Sequence, residues 1–162
     1  MEEQPISIFP ESPVVYANFG QRFLAFLLDA IILAIPGGII QSLTGANKLL
    51  LNWLRGIENP PSAVYGLIAV FVMQWIYFAA MESSHNQATI GKIALGIVVT
   101  DTDGKRISFG KATGRYFAKF VSGLILFIGY LMNTWDPRGQ TLHDKMANAL
   151  VIRKPRNFNR FS

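Results

Sequence analysis

The fold class this sequence predicts is an α-helical integral membrane protein: two or three transmembrane helices, the third crossing or re-entrant, with a small cytoplasmic β-hairpin. Three observations predict it. Of the 162 residues, 51% are apolar and only 15% charged, where a soluble domain averages about a quarter charged. The apolar residues gather in three long runs, one free of charge for twenty residues. The excess positive charge, +5 overall with a pI near 9.7, lies beside those runs, where anionic headgroups attract it. That placement points to a membrane partner and away from nucleic acid.

The first run, residues 19–40, reads FGQRFLAFLLDAIILAIPGGII. A helix of that length reaches roughly 33 Å, enough for a hydrocarbon core of about 30 Å. Pro36, Gly37 and Gly38 near its end predict a kink or an early stop. The stretch from Leu49 to Ile57, with Trp53 and Arg55 among leucines, suits a short helix at the membrane surface or an ordinary loop. Residues 62–81, SAVYGLIAVFVMQWIYFAAM, form the cleanest span, with Trp75 and Tyr77 towards one end as interfacial aromatics. Gln74 is its strongly polar side chain, suited to a hydrogen bond within a helix bundle.

Residues 90–112 change character. IALGIVVT, then DTDGKR, then ISF, put β-rich runs around an Asp-Gly turn, a hairpin signal. Ala149 to Arg153, ALVIR, is a further β-like run able to pair with that hairpin. The third apolar run, 116–135, contains Lys119, Ser122, Gly123 and Gly129, which weaken it as a straight helix. Residues 1–18 form an amino-terminal tail with Glu2, Glu3 and Glu11 and no Lys or Arg, unlike a cleaved secretory signal. Residues 19–154 form the membrane domain, and 155–162 a basic tail.

The loop between the first two helices carries two Lys or Arg, residues 81–119 carry six, and the chain from Asp136 onward carries six. Basic loops stay in the cytoplasm, so a fully crossing third run would separate the two basic segments. A re-entrant run turning around Gly123 to Gly129 keeps both, and the amino terminus, cytoplasmic; three full crossings leave the basic tail outside. The first arrangement is favoured, because ALVIR then has the hairpin beside it. The location is the cell membrane, multi-pass.

Arg22 and Asp29 lie seven residues apart, two turns on one face and about 10 Å along the axis, too far to pair directly. Arg22 can snorkel to the headgroups. Asp29 is short and flanked by apolar residues, and an ionised Asp in mid-membrane costs on the order of 2.5–3.5 kcal/mol. It calls for a partner, a proton or a water-filled cavity: a role in moving an ion or polar solute, or one in holding helices together.

Three ordered segments, GQRFLAFLLDAIIL, ATIGKIALGIVVTDTDGKRISFGKATGRYF and DPRGQTLHDKMANALVIRK, resemble the RDD family of small membrane proteins over about residues 16–154. The resemblance implies an arginine and an aspartate in the first helix, Arg22 and Asp29, and a third site at Asp144. Ala147-Asn148-Ala149 departs from the family's usual Ala-Gly-Thr without touching Asp144. The family's activity is poorly defined, with transport the usual suggestion. Asp144 then reads as a helix-start or surface carboxylate, or as one that meets Arg22 at the cytoplasmic interface. His143 beside it titrates near neutrality if exposed.

No enzyme, cofactor or metal site is expected. Asp101-Thr102-Asp103-Gly104 opens like a calcium loop, but Lys105 and Ala112 stand where oxygen ligands belong. His143-Asp144 lacks the further ligands of a metal phosphohydrolase. Gly91-Lys92 is followed by Ile93, so there is no phosphate loop, and with no cysteine there is no thiolate chemistry. The leading expectation is transport of ions or small polar solutes by a homo-oligomer or a larger membrane complex, through Arg22, Asp29 and Asp144, with Gln74 and His143 secondary. The alternative is a non-transporting adaptor docking a partner at the cytoplasmic face; a weaker third is lipid binding by the basic hairpin.

Overall fold

The computed structural model describes residues 14–124 and 132–154. Helix α1 (Phe19–Thr44) opens on a reciprocal capping box: Asn18 accepts from the Gln21 backbone N–H, and the Gln21 side chain accepts from that of Asn18. The helix continues through Pro36 and stops at Gly45, where φ is +78°. The expected early stop is therefore corrected: Pro36 to Gly38 stay helical, and the left-handed glycine ends the helix about two turns later. A short helix α2 (Leu49–Leu54) follows, with Leu50, Trp53 and Leu54 largely exposed. Helix α3 (Pro61–Ser83) begins with proline in its first turn, where the missing N–H costs nothing.

Helices α1 and α3 run antiparallel and are long and apolar enough to cross a bilayer. On α1 only Ala25, Asp29, Leu33 and Gly37 are buried, one narrow stripe at a spacing of four. Phe26, Ile31 and Ile35 are 59%, 62% and 69% exposed, which in water would be a large apolar patch. Near the far end the helices touch closely: a Cβ on Gly66 would lie 1.9 Å from Thr44 Oγ1.

The predicted hairpin over 90–112 is not formed. Residues 90–94 are instead a short helix α4 (Ile90–Ala94), and only Ile97–Asp101 is a strand, β1. Its partner is β2 (Ala149–Arg153), antiparallel with Ile97 opposite Arg153 and Asp101 opposite Ala149. The Asp-Gly turn does form: the Asp101 carboxylate accepts from the N–H groups of Asp103 and Lys105, and Gly104 has φ +78°. The ISF run does not return as a strand, because its last residue already opens helix α5 (Phe109–Leu124). ALVI, buried on both faces, takes the place beside β1. Ile97, Val99, Ala149 and Val151 pack towards Ala25, Ala79 and Ala112, while Val98, Leu150 and Ile152 are covered by Val14, Tyr16 and Ala88.

Helix α5 also departs from the expected 116–135 helix. It begins seven residues earlier and carries Lys111, Arg115 and Lys119 at a spacing of four, and residues 132–134 form a 3-10 turn. The expected re-entry around Gly123 to Gly129 falls largely on residues 125–131, outside the described residues, as do the terminal tails up to 13 and from 155. A last short helix, α6 (Leu142–Met146), precedes β2, linked by Asn148 at φ +47°. The residue that departs from the family's usual glycine is thus one of the few side chains that tolerate a left-handed backbone.

Candidate functional site

Asp29 is fully buried, and three donors from two other elements converge on it. Tyr77 of α3 donates its hydroxyl at 2.7 Å, Thr89 its hydroxyl at 2.6 Å, and Gly91 its backbone N–H at 2.8 Å. The Tyr77 oxygen in turn accepts from the Ile90 N–H at 3.2 Å. The carboxylate and phenol therefore cap the start of α4, whose first amide groups have no partner within the helix. Gly91 is required by the contact: a Cβ there would sit 2.1 Å from the Ala25 carbonyl oxygen. Asp29 and Arg22 do not touch, as their spacing predicts.

Arg22 instead reaches Asp144, 122 residues away. Its other nitrogens donate to the carbonyls of Ala17 at 3.3 Å and Gly139 at 2.6 Å. The second oxygen of Asp144 takes Arg115 of α5, at 2.7 Å from Nε and 2.6 Å from a terminal nitrogen. Asp144 also completes a capping box with Thr141 at the start of α6. Neither surface reading applies, since Asp144 is 0% and His143 4% exposed.

Arg115 links this pair to a second one. Its Nη1 lies 2.6 Å from Glu82 at the end of α3, and the other Glu82 oxygen meets Lys92 Nζ at 2.5 Å and Lys119 Nζ at 3.8 Å. Lys119 also stands 4.4 Å above the Phe78 ring. Arg22, Lys92, Arg115, Lys119, Glu82 and Asp144 thus form one buried ionic cluster at the end of α1 and α3 where the sheet sits. Glu82, Lys92, Arg115 and Lys119 were missed by sequence reasoning. The available signal was the four-residue spacing of Lys111, Arg115 and Lys119, a basic stripe on a helix that starts before the apolar run.

Burial alone would raise the pKa of Asp144, but Arg115 and Arg22 overcome it and hold the carboxylate well below its ordinary range. Burial lowers His143 to about 3 despite Asp144, so its ring is neutral; it bonds Ser122 through Nδ1 at 3.2 Å and Thr141 through Nε2 at 2.9 Å. Burial likewise pushes Lys92 down to about 7, against the attraction of Glu82. The sign of the consequence is fixed: between about 7 and the ordinary 10.5 the unfolded chain binds this proton more tightly, so stability rises with pH there. The melting temperature should climb from about pH 7 to about pH 9 and climb less in Lys92→Met. An identical profile in the two proteins would contradict the burial of Lys92.

Gln74 stands apart from the cluster. With Gln41, Phe26, Leu33, Gly37 and Phe78, it lines a groove of about 220 Å³ between α1 and α3. Among the described residues no group of three His, Cys, Asp or Glu side chains is arranged to hold a metal ion.

The chain is 31% identical over 148 residues to the uncharacterized protein YxaI of Bacillus subtilis (strain 168), covering 85% of this chain and 97% of that one. It is 30% identical over 149 residues to the uncharacterized membrane protein YteJ of the same organism, covering 85% and 80%. It is 38% identical over 104 residues to a proline-rich antigen homolog of Mycobacterium tuberculosis (strain ATCC 25618 / H37Rv), covering 64% of this chain but 38% of that longer protein. No solved structure matches. The RDD family profile matches residues 16–148, and with its two long apolar helices and two-stranded sheet this chain belongs to the RDD family of membrane proteins.

Proposed function

We propose that this protein is a multi-pass transport subunit for ions or small polar solutes, with α1 and α3 crossing the cell membrane. The observation that carries this reading is the ionic cluster of Glu82, Asp144, Arg22, Arg115, Lys92 and Lys119, whose Lys119 stands over Phe78 at the margin of the α1–α3 groove. Buried ion pairs are a poor route to stability, since well-packed apolar residues of the same volume do as well or better. At a membrane boundary such groups mark paths for ions and protons. Glu82 is the central residue, because Lys92 and Lys119 approach one of its oxygens and Arg115 the other. Arg22 and Asp144 close the inner end. Asp29, held by three donors, fixes α4 against α1 and carries nothing itself.

Two apolar helices enclose little space, so the path lies between copies of the chain in a homo-oligomer. Residues 15–17, β1 and β2 lie together, and the basic residues around them support a cytoplasmic position for that side. The chemistry is binding and passage, without a covalent step.

Proteoliposomes carrying the full chain test the reading through cation- and proton-coupled flux. Glu82→Gln should lower flux by about tenfold or more, the effect of losing roughly 1.4 kcal/mol, while Lys111→Gln on the exposed face of α5 leaves it unchanged. A wild type that moves no tested ion or solute would sink the proposal. A second reading, an adaptor with a rigid cytoplasmic platform, is favoured by one observation: both Asp29 and Asp144 tie extramembrane elements to α1 or its arginine. It predicts no flux, together with capture of one partner that Asp144→Asn releases.

A further inference from the structure

Helix α5 lies across α3 instead of alongside it. Phe71 of α3 meets the rings of Tyr116, Phe117 and Phe120 at 6.0, 6.1 and 5.8 Å. Three turns further along α3, Glu82 meets Arg115 and Lys119. Between Phe71 and Glu82 the helix rises about 16 Å, yet the contacts on α5 stay within Arg115 to Phe120. Two helices packed side by side would advance together, so this pattern is a steep crossing.

The same contacts sort the two sides of α5 by their level on α3. The aromatic side faces the Phe71 end. Trp75 stands 6.2 Å from the Phe109 ring and 6.1 Å from that of Phe117, and its indole donates to Thr113 at 3.2 Å. The polar side faces the Glu82 end, where Arg115 and Lys119 enter the ionic cluster and Ser122 bonds His143. That side is occupied within the fold. The aromatic side is open: Phe109, Phe117, Phe120 and Val121 are 47%, 43%, 50% and 40% exposed. Their helical spacing puts all four on one face. At the Tyr77 level, where the Ile90 N–H bonds the phenol oxygen, Ile90 and Ile93 of α4 are nearly half exposed as well. Contiguous apolar surface of this kind marks a contact with membrane or protein.

We propose that α5 is an in-plane membrane helix: its face of Phe109, Phe117, Phe120 and Val121 docks into the acyl chains of the leaflet that surrounds α3 near Trp75. The partner is the lipid. Amphipathic helices of this type sink their apolar face about 5–10 Å into the boundary between headgroups and chains, and Trp75 is the residue type that sits there. Lys105 and Arg106, exposed just ahead of the helix, bring the positive charge that anionic headgroups attract. From Pro61 to Phe78, α3 rises about 27 Å, close to the hydrocarbon thickness of about 30 Å, and Glu82 lies one turn beyond. Over residues 109–124 the chain therefore runs along the membrane, and α5 is the wall between the ionic cluster and the lipid. This inference rests on α3 crossing the bilayer and is independent of transport.

The chain has no cysteine, so single cysteines can carry nitroxide labels in the full protein, reconstituted in nanodiscs of phosphatidylcholine and phosphatidylglycerol. Phe109→Cys and Val121→Cys mark the ends of the face and Phe117→Cys its middle. Ile68→Cys, at a position of α3 that is 53% exposed, marks the span. Collision with oxygen, which concentrates in hydrocarbon, against a water-soluble nickel chelate gives the depth of each label. The three α5 labels should favour oxygen and agree in depth to within about 5 Å, with Ile68 deeper. A crossing helix would separate Phe109 from Val121 by about 18 Å, and that gradient would overturn the in-plane placement. Labels open to nickel would put the face in water, and labels shielded from both reagents would put it against protein; either result overturns the lipid partner. Nickel access at Ile68 would remove the span and this inference together. Ile68 in hydrocarbon and level α5 labels, with no flux in proteoliposomes, would sink transport and leave the lipid contact standing.

Discussion

Arg115→Met should lower the free energy of unfolding by about 3–5 kcal/mol, the range for removing one partner from a buried charge pair. Arg115 is 2% exposed, and its guanidinium bridges Glu82 and Asp144. Methionine preserves most of the side-chain volume and removes the only group that touches both carboxylates among the described residues. Glu82 then keeps Lys92 and Asp144 keeps Arg22, but each carboxylate loses the guanidinium bonded to its other oxygen, in a site that water barely reaches. Unfolding in mixed micelles with increasing denaturing detergent reads the difference. Adding Asp144→Asn to Arg115→Met should cost less than the same change in the wild type, with a coupling of about 0.5–3 kcal/mol as for residues in one network. A loss below about 1 kcal/mol for Arg115→Met, the size expected of a surface pair, would mean that solvent reaches the cluster.

Gly91→Ala should be nearly as damaging for a steric reason. The added methyl would lie 2.1 Å from the Ala25 carbonyl oxygen and 3.0 Å from Asp29 Cγ. The first of these is backbone inside α1 and has no rotamer to change. Helix α4 must lift away, at about 1–3 kcal/mol for overpacking, and the lift breaks the Gly91 N–H bond to Asp29, worth about 1.5–3 kcal/mol as a bond to a charged group. Gly114→Ala is the contrast: it sits inside α5 with nothing within 4 Å of the new methyl, and should gain up to about 1 kcal/mol from helix propensity. Similar melting temperatures for the two variants would refute the close approach of α4 to α1.

What could be read from the sequence divides along a physical line. Helices α1 and α3 were legible because apolar length is a local property that needs no partner to be recognised. Arg22 and Asp144 were legible through the family resemblance, and their contact spans 122 residues. The hairpin was misread because a turn signal is local while the choice of strand partner is not. The Asp101–Gly104 turn forms as read, but pairing went to ALVI, which can be covered on both faces. Arg115 and Lys119 are hidden in the sequence because the apolar run begins at Tyr116, whereas the helix that carries their basic stripe begins at Phe109. Glu82 looked like an ordinary polar end to a span; only the fold brings Lys92, Arg115 and Lys119 around it.

The two-stranded sheet has little open margin. On the β2 side, Val151 accepts from the Ala17 N–H and Arg153 donates to Val15. On the β1 side, Gln87 takes both backbone groups of Val99, and Lys105 takes the Asp101 N–H. A sheet sealed on both flanks cannot recruit another polypeptide by strand addition, the mode that reads backbone before side chains. It is equally protected from edge-to-edge self-association. Whatever meets this protein on that side must recognise side chains on its surface, so its specificity can be changed by point substitutions that leave the backbone pairing intact.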